Sequence, residues 1–515
     1  MFYICSMSDL HVIWFRHDLR VHDNAALSAA CASGGLVLPL YIFDADHWHR
    51  PDTSKRQFDF LMESLADLDS ALRKRGSQLC LKVGPATQIL SQIHSKHGIA
   101  SLHFHASGHE AQRDQQVRNW AMKAGIPLRE QGGNRSLSAS PTIAHDSWQQ
   151  SMRQPRLAGP DSINSPRISS DDWPMASDFD LNDDTCTERQ IGGRTNGVLQ
   201  LRQFLTGRGR CSGKRNLCII DREDSASGLS PHLVLGTISD REVWQATMRA
   251  RAALKSDGDN TFTDSLDTFA ENLRQRSRLL AATPRHDHMA NAGLPADTFA
   301  RDAAGMSDPR LTAWSTGRTG FPLLDASMRC LQTTGRLEAE LRSLLLSFAT
   351  CHLWLDPVAP SQHLASLSTD FDTALFYGNA RKVIGISSRP TGQIPNPVRQ
   401  SLVRDPKGTF IRKWVPEIAN LTNEWIHSPW EAPKSLLADT GIVLGQTYPM
   451  RMVDHIAAAR AARNHLFPNI TSKALPFDVP AQTRLSRKPG IPKRTHPRAL
   501  PSGPTQLSFD LQGHG

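Results

Sequence analysis

The sequence predicts an N-terminal α/β domain with a Rossmann-like parallel sheet, followed by an all-helical domain. Strand and helix patterns alternate over residues 9–130, and helical periodicity dominates from 195 to 470. Between them, residues 131–194 are rich in Ser, Pro, Asp and Asn, which is typical of an interdomain linker. At 515 residues the chain is also too long for one ordinary domain.

The α/β prediction depends on four short apolar runs, at 11–15, 36–43, 79–83 and 99–104. In 54–75, apolar residues recur every three or four positions, which predicts an amphipathic helix between the second and third runs. Strands that alternate with helices indicate a parallel sheet covered on both faces. No Gly-x-Gly-x-x-Gly follows the first run, so an ordinary dinucleotide site is not predicted there.

In the second domain, the apolar pattern predicts helices at 237–255, 264–281, 321–334 and 337–355. Gly335 lies between the last two and is a predicted helix C-cap. We expect loops at 256–262, 282–312 and 385–409. Residues 471–515 are rich in Pro, Lys and Arg and are predicted to be disordered.

Charge and cysteine content narrow the class of protein. The net charge is +9, and residues 451–515 hold ten Lys/Arg against three Asp/Glu, so the basic excess lies in the tail and favours polyanions. The eight cysteines form no Cys-x-x-Cys, which argues against a zinc site or a disulfide framework. No apolar run is long enough for a membrane span, and we expect a cytoplasmic monomer without a metal.

Four segments, in chain order, carry a family signature. They are Phe15–Asn24, Ser227–Leu233, Trp314–Arg329, and Asn396–Gln400 followed by Phe410–Glu417. Together they resemble the photolyase/cryptochrome family over residues 10–425. The resemblance implies an N-terminal α/β domain, a long linker and an all-α domain that binds FAD. An antenna pigment of unknown identity is possible.

The resemblance also implies roles for single residues at the flavin. Ser227, Leu229 and Ser230 are expected to form a phosphate loop. Arg342 and Asp370 are expected to form a salt bridge over the flavin ring, and Asp372 is expected to lie against the ribityl chain and the edge of that ring. Hydroxyls before a helix suit a diphosphate, and a guanidinium stabilises an anionic reduced flavin. By themselves, the same residues also fit a plain helix cap and a structural ion pair.

Residues facing the substrate follow from the same resemblance. Glu271 matches an acid that contacts the lesion bases, and Phe376 aligns with the residue that faces flavin N5. The candidates for contacts to DNA phosphates are Arg274, Arg399, Arg412 and Lys413. Without the family context, Glu271 and these basic residues also fit a solvated helix surface.

The sequence departs from the family in the substrate pocket and in the electron-transfer route. Ala339 and Glu340 stand where repair enzymes usually carry Asn-Arg, and Arg274 replaces a stacking Trp. The aromatic chain that re-reduces flavin is expected at Ala304, Pro357 and Ala380, none of which is aromatic. We therefore expect slow photoreduction, unless Trp354 substitutes.

Three functions remain open from the sequence. The first is a light-driven photolyase that repairs pyrimidine dimers in damaged DNA. The second is a cryptochrome-like blue-light receptor without repair activity, and the third is a degenerate homologue that only binds DNA. The altered pocket favours the second and third, whereas the basic tail fits the first and third.

The C-terminus reads Thr505-Gln506-Leu507-Ser508-Phe509-Asp510-Leu511. It resembles the short peptides by which bacterial repair and replication proteins bind the sliding clamp. Leu507, Phe509 and Leu511 would enter apolar pockets while Gln506 makes polar contacts. The alternative is that these apolar residues fold back onto the protein's own surface.

Overall fold

The computed structural model describes residues 9–105, 111–131, 148–181, 184, 186–213, 217–256, 259–282, 308–384 and 394–466. Five parallel strands form one sheet in the order β3-β2-β1-β4-β5. They are β1 Leu10–Phe15, β2 Leu36–Phe43, β3 Cys80–Val83, β4 Ser101–His105 and β5 Leu128–Gln131. The predicted α/β domain with a parallel sheet is confirmed.

Helices cover both faces of the sheet. They are Ala25–Ala32, Ala45–Trp48, Lys55–Arg73, Ala86–His97 and Ala111–Ala124. Because side chains alternate along a strand, Ile13 and Phe15 pack with the Lys55–Arg73 helix, whereas Val12 and Trp14 pack on the opposite face. The two faces therefore hold separate apolar cores.

The described part of the linker, 148–181, packs along the α/β domain. Its backbone pairs with that domain at Ile163, whose N–H donates to the Arg75 carbonyl at 2.8 Å, and at Asp171, whose N–H donates to the Leu81 carbonyl at 2.9 Å. Ile163 and Phe179 are buried, and Phe179 lies in a 3-10 turn, Ala176–Phe179.

The second domain is helical, as predicted. Its α-helices are Arg194–Thr206, Ile219–Ser225, Ser230–Val234, Asp240–Ser256, Asn260–Ala282, Pro309–Ser315, Pro322–Thr334, Ala339–Ser347, Val358–Leu367, Thr373–Val383, Pro397–Arg404, Thr409–Trp414, Lys434–Asp439 and His455–Leu466. Short 3-10 turns lie at Arg208–Cys211, Pro416–Ile418 and Pro429–Glu431. The helix Pro322–Thr334 is almost wholly buried at the centre of the largest core, and it ends at Gly335 in the left-handed conformation (φ 67°), as predicted.

Several elements differ from the sequence prediction. The helix predicted over 337–355 ends at Ser347 and continues as one π-helical turn, Phe348–His352, before Trp354 adopts a positive φ of 58°. The helix Pro309–Ser315 begins inside the loop predicted at 282–312, and the helix Pro397–Arg404 falls inside the loop predicted at 385–409. Both begin with Pro at the first turn, which starts a helix as readily as it marks a loop.

A polar seam joins the two domains at the start of the Lys55–Arg73 helix. Arg56 donates to the carbonyls of Leu331 at 3.0 Å and Leu367 at 2.8 Å. The Gln57 amide donates to the carbonyls of Ala365 at 2.9 Å and Ser368 at 3.1 Å. The α/β domain therefore forms hydrogen bonds with residues 365–368, the segment that immediately precedes Asp370 in the chain.

Candidate functional site

The predicted phosphate loop turns sharply between two helices. The helix Ile219–Ser225 ends just before the loop. The helix Ser230–Val234 follows it, with Pro231 in its first turn. Gly228 supplies the left-handed conformation (φ 67°), and its carbonyl accepts a hydrogen bond from Gln190 at 3.1 Å. Leu229 is buried in an apolar cluster with Leu201, so its side chain anchors the loop to the core of the helical domain.

Three residues from distant parts of the sequence meet beside this loop. Arg342 donates to both oxygens of Asp370, at 2.8 and 3.3 Å, and to the hydroxyl of Ser368 at 3.3 Å. Burial alone would raise the pKa of Asp370, but the charge of Arg342 and hydrogen bonds from Arg342 and Ser230 lower it below its usual value. Ser230 therefore links the loop to the ion pair. We call Ser230, Arg342 and Asp370 the junction.

Asp372 follows the junction and begins the helix Thr373–Val383. It is 4% exposed, and its carboxylate accepts a hydrogen bond from the N–H of Leu375 at 3.0 Å, so it acts as the N-cap of that helix. One turn later, the half-buried ring of Phe376 lies edge-on to Phe371, with centroids 5.6 Å apart. Because phenylalanine has no polar atom, it neither donates nor accepts a hydrogen bond at this position.

Two arginines near the loop were not singled out from the sequence. Arg208 donates to the Ser227 carbonyl and to the Gln200 side chain, both at 2.8 Å. Its Nε is buried without a hydrogen-bond partner among the described residues. Burial, together with the charge of nearby Arg336, lowers the pKa of Arg208. An unpaired guanidinium donor beside a loop that carries hydroxyls, with a second arginine near it, fits a diphosphate such as that of FAD.

Glu271 is already engaged by its own helix. Its carboxylate accepts hydrogen bonds from Arg274 Nε and from the Gln275 amide, each at 2.7 Å. Burial would raise the pKa of Glu271, but these hydrogen bonds and the charge of Arg274 lower it. Glu271 is therefore ionised near neutral pH, and Arg274 is paired with it on the same helix.

The carboxylate of Glu340 is also paired. It accepts a hydrogen bond from Arg404, and Arg222 lies 3.7 Å away. Arg222 is also 3.8 Å from Glu338. Burial and the neighbouring charge of Glu340 raise the pKa of Glu338 to about 7, against the opposing charges of Arg222 and Arg404. Glu340, which stands at the second position of the expected Asn-Arg pair, is thus paired with two arginines.

The remaining DNA candidates have different surroundings. Arg399 and Lys413 are exposed, and the Lys413 ammonium lies 4.9 Å above the Trp414 ring. Arg412 instead donates to the carbonyls of Ala419 at 3.0 Å and Leu421 at 2.7 Å, so it stabilises the turn at 419–421 that follows its helix.

At the expected electron-transfer positions the structure places small or saturated side chains. Ala380 is buried in the helix Thr373–Val383, and Pro357 precedes the helix Val358–Leu367. Ala304 lies outside the described residues. Trp354 is half-buried and packs edge-on against His465 at 5.2 Å.

Nowhere in the described part of the chain do three His, Cys, Asp or Glu side chains gather in a way that could hold a metal ion. Among the helices that the structure describes, each is too short or too polar to cross a membrane.

Comparison with known proteins agrees with this geometry. Residues 11–149 match the family model "DNA photolyase", and residues 269–467 match "FAD binding domain of DNA photolyase". The chain is 30% identical over 483 residues to a deoxyribodipyrimidine photo-lyase of Streptomyces griseus, covering 87% of this chain and 97% of the relative. It is 27% identical over 483 residues to a cryptochrome DASH of Gloeobacter violaceus, covering 87% and 94%.

A solved structure supports the same relationship. The bacterial class III photolyase of Agrobacterium tumefaciens superposes with a TM-score of 0.73 at 26% identity, over 90% of this chain and 98% of that one. Relatives of both kinds, repair enzymes and cryptochromes, match over nearly their whole length. The signature segments, the junction and these matches together place the chain in the DNA photolyase/cryptochrome family, with its helical domain as the FAD-binding domain.

Proposed function

We propose that this protein is a light-driven, FAD-dependent DNA photolyase that splits pyrimidine dimers by photoinduced electron transfer. The observation that carries the proposal is the junction. Arg342 and Asp370 form an ion pair at 2.8 Å, and Ser230 of the phosphate loop hydrogen-bonds the same carboxylate, which brings a cation, an anion and a hydroxyl together beside that loop. Such a group of side chains can hold both the diphosphate and the flavin ring of FAD.

The residues divide between the two ends of the cofactor. Ser227, Ser230 and the guanidinium groups of Arg208 and Arg336 would hold the diphosphate. Arg342 would place positive charge beside the flavin ring, with Asp370 fixing its orientation and Asp372 at the ring edge. When bound, FAD supplies the light absorption and the transferable electron.

DNA contacts would come from exposed basic side chains. Arg399 and Lys413 are exposed on consecutive helices of the FAD-binding domain, where DNA phosphates can reach their charged groups. Arg274 and Arg412 are committed to Glu271 and to backbone carbonyls, respectively. We infer that the first two contribute most to DNA affinity.

A second candidate is a cryptochrome-like photoreceptor, and a specific observation favours it. Glu271 is ionised and paired with Arg274, and Glu340 is paired with Arg404, where a repair pocket would present groups to the flipped bases. Under this alternative the chain binds FAD and responds to blue light without repairing DNA.

Illumination with dimer-containing DNA separates the candidates. The purified full chain, with its flavin reduced, is mixed with an oligonucleotide that holds one cyclobutane dimer, and the loss of dimer is followed under blue light and in the dark. Light-dependent restoration of the thymines supports the photolyase. Flavin that is photoreduced without any repair supports the photoreceptor, and a colourless protein that still binds DNA would leave only the degenerate homologue.

A further inference from the structure

A buried tyrosine from the helical domain is hydrogen-bonded to a carboxylate of the α/β domain. The Tyr377 hydroxyl donates to Asp52 Oδ2 at 2.7 Å. Tyr377 is 4% exposed and Asp52 is 2% exposed. Arg50 also binds Asp52, through Nε at 3.0 Å and Nη2 at 2.7 Å, which holds the carboxylate in position.

The Tyr377 ring lies close to the candidate flavin residues. It packs against Phe376 and Phe371, with centroids 5.5 and 5.8 Å away. Phe371 stands between Asp370 and Asp372 in the chain, and Phe376 is the residue aligned with flavin N5. The phenol is therefore one aromatic contact away from the residues expected to surround the cofactor.

Two other oxidisable side chains of the helical domain, Trp354 and Tyr448, make different contacts. Pro357 and Ala380 occupy positions where an aromatic chain was expected, and Trp354 packs instead on the C-terminal helix His455–Leu466. Tyr448 makes a similar hydrogen bond, to Asp325 at 2.6 Å. Asp325 also accepts from Thr319, so that pair fastens the loop before the helix Pro322–Thr334.

The hydrogen bond from Tyr377 to Asp52 determines where the phenolic proton goes when Tyr377 loses an electron. Burial and the charge of Asp52 raise the pKa of Tyr377 well above its usual value, so the phenol remains protonated in the resting protein. An oxidised phenol becomes strongly acidic and needs a base within hydrogen-bond distance. Asp52 is such a base, already aligned with the O–H.

We propose that Tyr377 donates an electron to the light-excited oxidised flavin while Asp52 accepts the phenolic proton. One electron leaves the ring, and the proton moves from the Tyr377 oxygen to Asp52 Oδ2. This leaves a neutral phenoxyl radical and a neutral carboxylic acid. A thiolate in solution then returns one electron and becomes a thiyl radical, while the proton returns from Asp52 to Tyr377. The inference rests on the proposed binding of FAD.

The test uses the full chain with bound flavin and four variants. Photoreduction under blue light with an external thiol is followed by absorbance, after the flavin content of each preparation has been measured. Tyr377→Phe should abolish photoreduction, and Asp52→Asn should slow it. Tyr448→Phe and Trp354→Phe, the controls, should behave like the parent protein. In the parent, reduction should be slower in D₂O, because a proton moves with the electron.

Two readouts do not depend on activity. Illuminated, frozen parent protein should show a neutral tyrosyl radical by electron paramagnetic resonance, narrowed by ring-deuterated tyrosine and absent in Tyr377→Phe. In flavin-free protein, Asp52→Asn should allow one additional phenol to ionise nearer the usual value of about 10, as followed by its ultraviolet absorbance. That step should vanish in the Asp52→Asn, Tyr377→Phe double variant.

The outcomes distinguish this inference from the proposed function. A parent protein without flavin would overturn the proposed function and this inference with it. Normal flavin content with unchanged photoreduction in Tyr377→Phe, or loss only in Trp354→Phe, would overturn the inference alone. An unchanged phenol titration in Asp52→Asn would remove Asp52 as the base.

Discussion

At Glu340 the protein carries a negative charge where a DNA-repair pocket would be expected to present a positive one. The structure shows that this charge is not left facing outward, because Arg404 and Arg222 lie against it. Glu340 therefore occupies two guanidinium groups that would otherwise attract a phosphate. A DNA phosphate would have to compete with the Glu340 carboxylate for these two arginines.

Glu340→Gln should strengthen DNA binding. Removing the charge takes away one of the carboxylates that engage Arg404 and Arg222, so we expect one additional phosphate contact, which adds about −0.9 to the slope of log affinity against log salt on duplex DNA. Fluorescence anisotropy across a salt series measures that slope. The matched control is Asp267→Asn, which breaks an exposed pair with Arg251. An identical slope in Glu340→Gln and the parent would show that these arginines never reach DNA.

The family resemblance, and no local pattern, is what singled out the residues of the junction, whose role in holding FAD stays a prediction. Ser230, Arg342 and Asp370 were predicted from the family resemblance, and the structure brings them together. Arg208 and Arg336 were missed, since a single arginine outside a motif has no pattern that separates it from any other surface residue. The partners of Glu340 were also missed, because Arg404 is 64 positions away and only the fold brings it close.

At the scale of elements, the strands β1 to β4 were predicted well. β1 and β2 are continuous apolar runs that are almost wholly buried, as in the centre of a parallel sheet. β3 and β4 mix apolar with polar residues, but each keeps enough buried apolar residues to be recognised. β5 was not predicted. Its sequence, Leu128-Arg129-Glu130-Gln131, is polar, as an edge strand permits. The π-helical turn Phe348–His352 likewise follows an apolar pattern that is indistinguishable from an ordinary helix.

The seam at the start of the Lys55–Arg73 helix is expected to support the flavin site. Arg56→Met should remove the hydrogen bonds to Leu331 and Leu367 and leave Asp184 unpaired, which costs about 3–5 kcal/mol for a buried pair. Because the same segment leads to Asp370, the variant should also bind FAD more weakly. Urea unfolding and flavin titration measure the two effects.

Arg73→Met is the control for that experiment. It lies on the same helix and pairs with Asp69, but its side chain is 62% exposed, so its loss should cost about 1 kcal/mol or less. If both variants lost the same stability, or if Arg56→Met kept full flavin affinity, the seam would have no special role in holding the site.

At the scale of the whole molecule, the charge is divided between a nearly neutral body, residues 1–450, and a basic C-terminal stretch, 451–515, of which 467–515 lie outside the described residues. Deleting residues 471–515 removes Lys473 and six further Lys/Arg. The salt slope of DNA binding should therefore shrink by about 0.9 for each phosphate that the tail neutralises. An unchanged slope in the truncated protein would assign all phosphate contacts to the body.

The C-terminal peptide also lies outside the described residues, and we propose that it binds the sliding clamp. A peptide covering 500–515 should retain purified clamp in a pull-down, and the same peptide with Gln506→Ala and Phe509→Ala should not. Tethering to the clamp would raise the local concentration of the protein at replicating DNA without altering the flavin site. Equal retention by both peptides, or none by either, would reject this interaction.

The central claim is that the junction holds FAD, and flavin occupancy tests it most directly. The ratio of flavin to protein, from absorbance of the purified full chain, is compared for the parent, Asp370→Ala and the surface control Asp267→Asn. Asp370→Ala removes the carboxylate that orients Arg342 and leaves a largely buried guanidinium without its partner, a loss of up to about 3 kcal/mol. The parent and Asp267→Asn should carry close to one flavin per chain, and Asp370→Ala should carry little. Full occupancy in Asp370→Ala, or none in the parent, would contradict the claim.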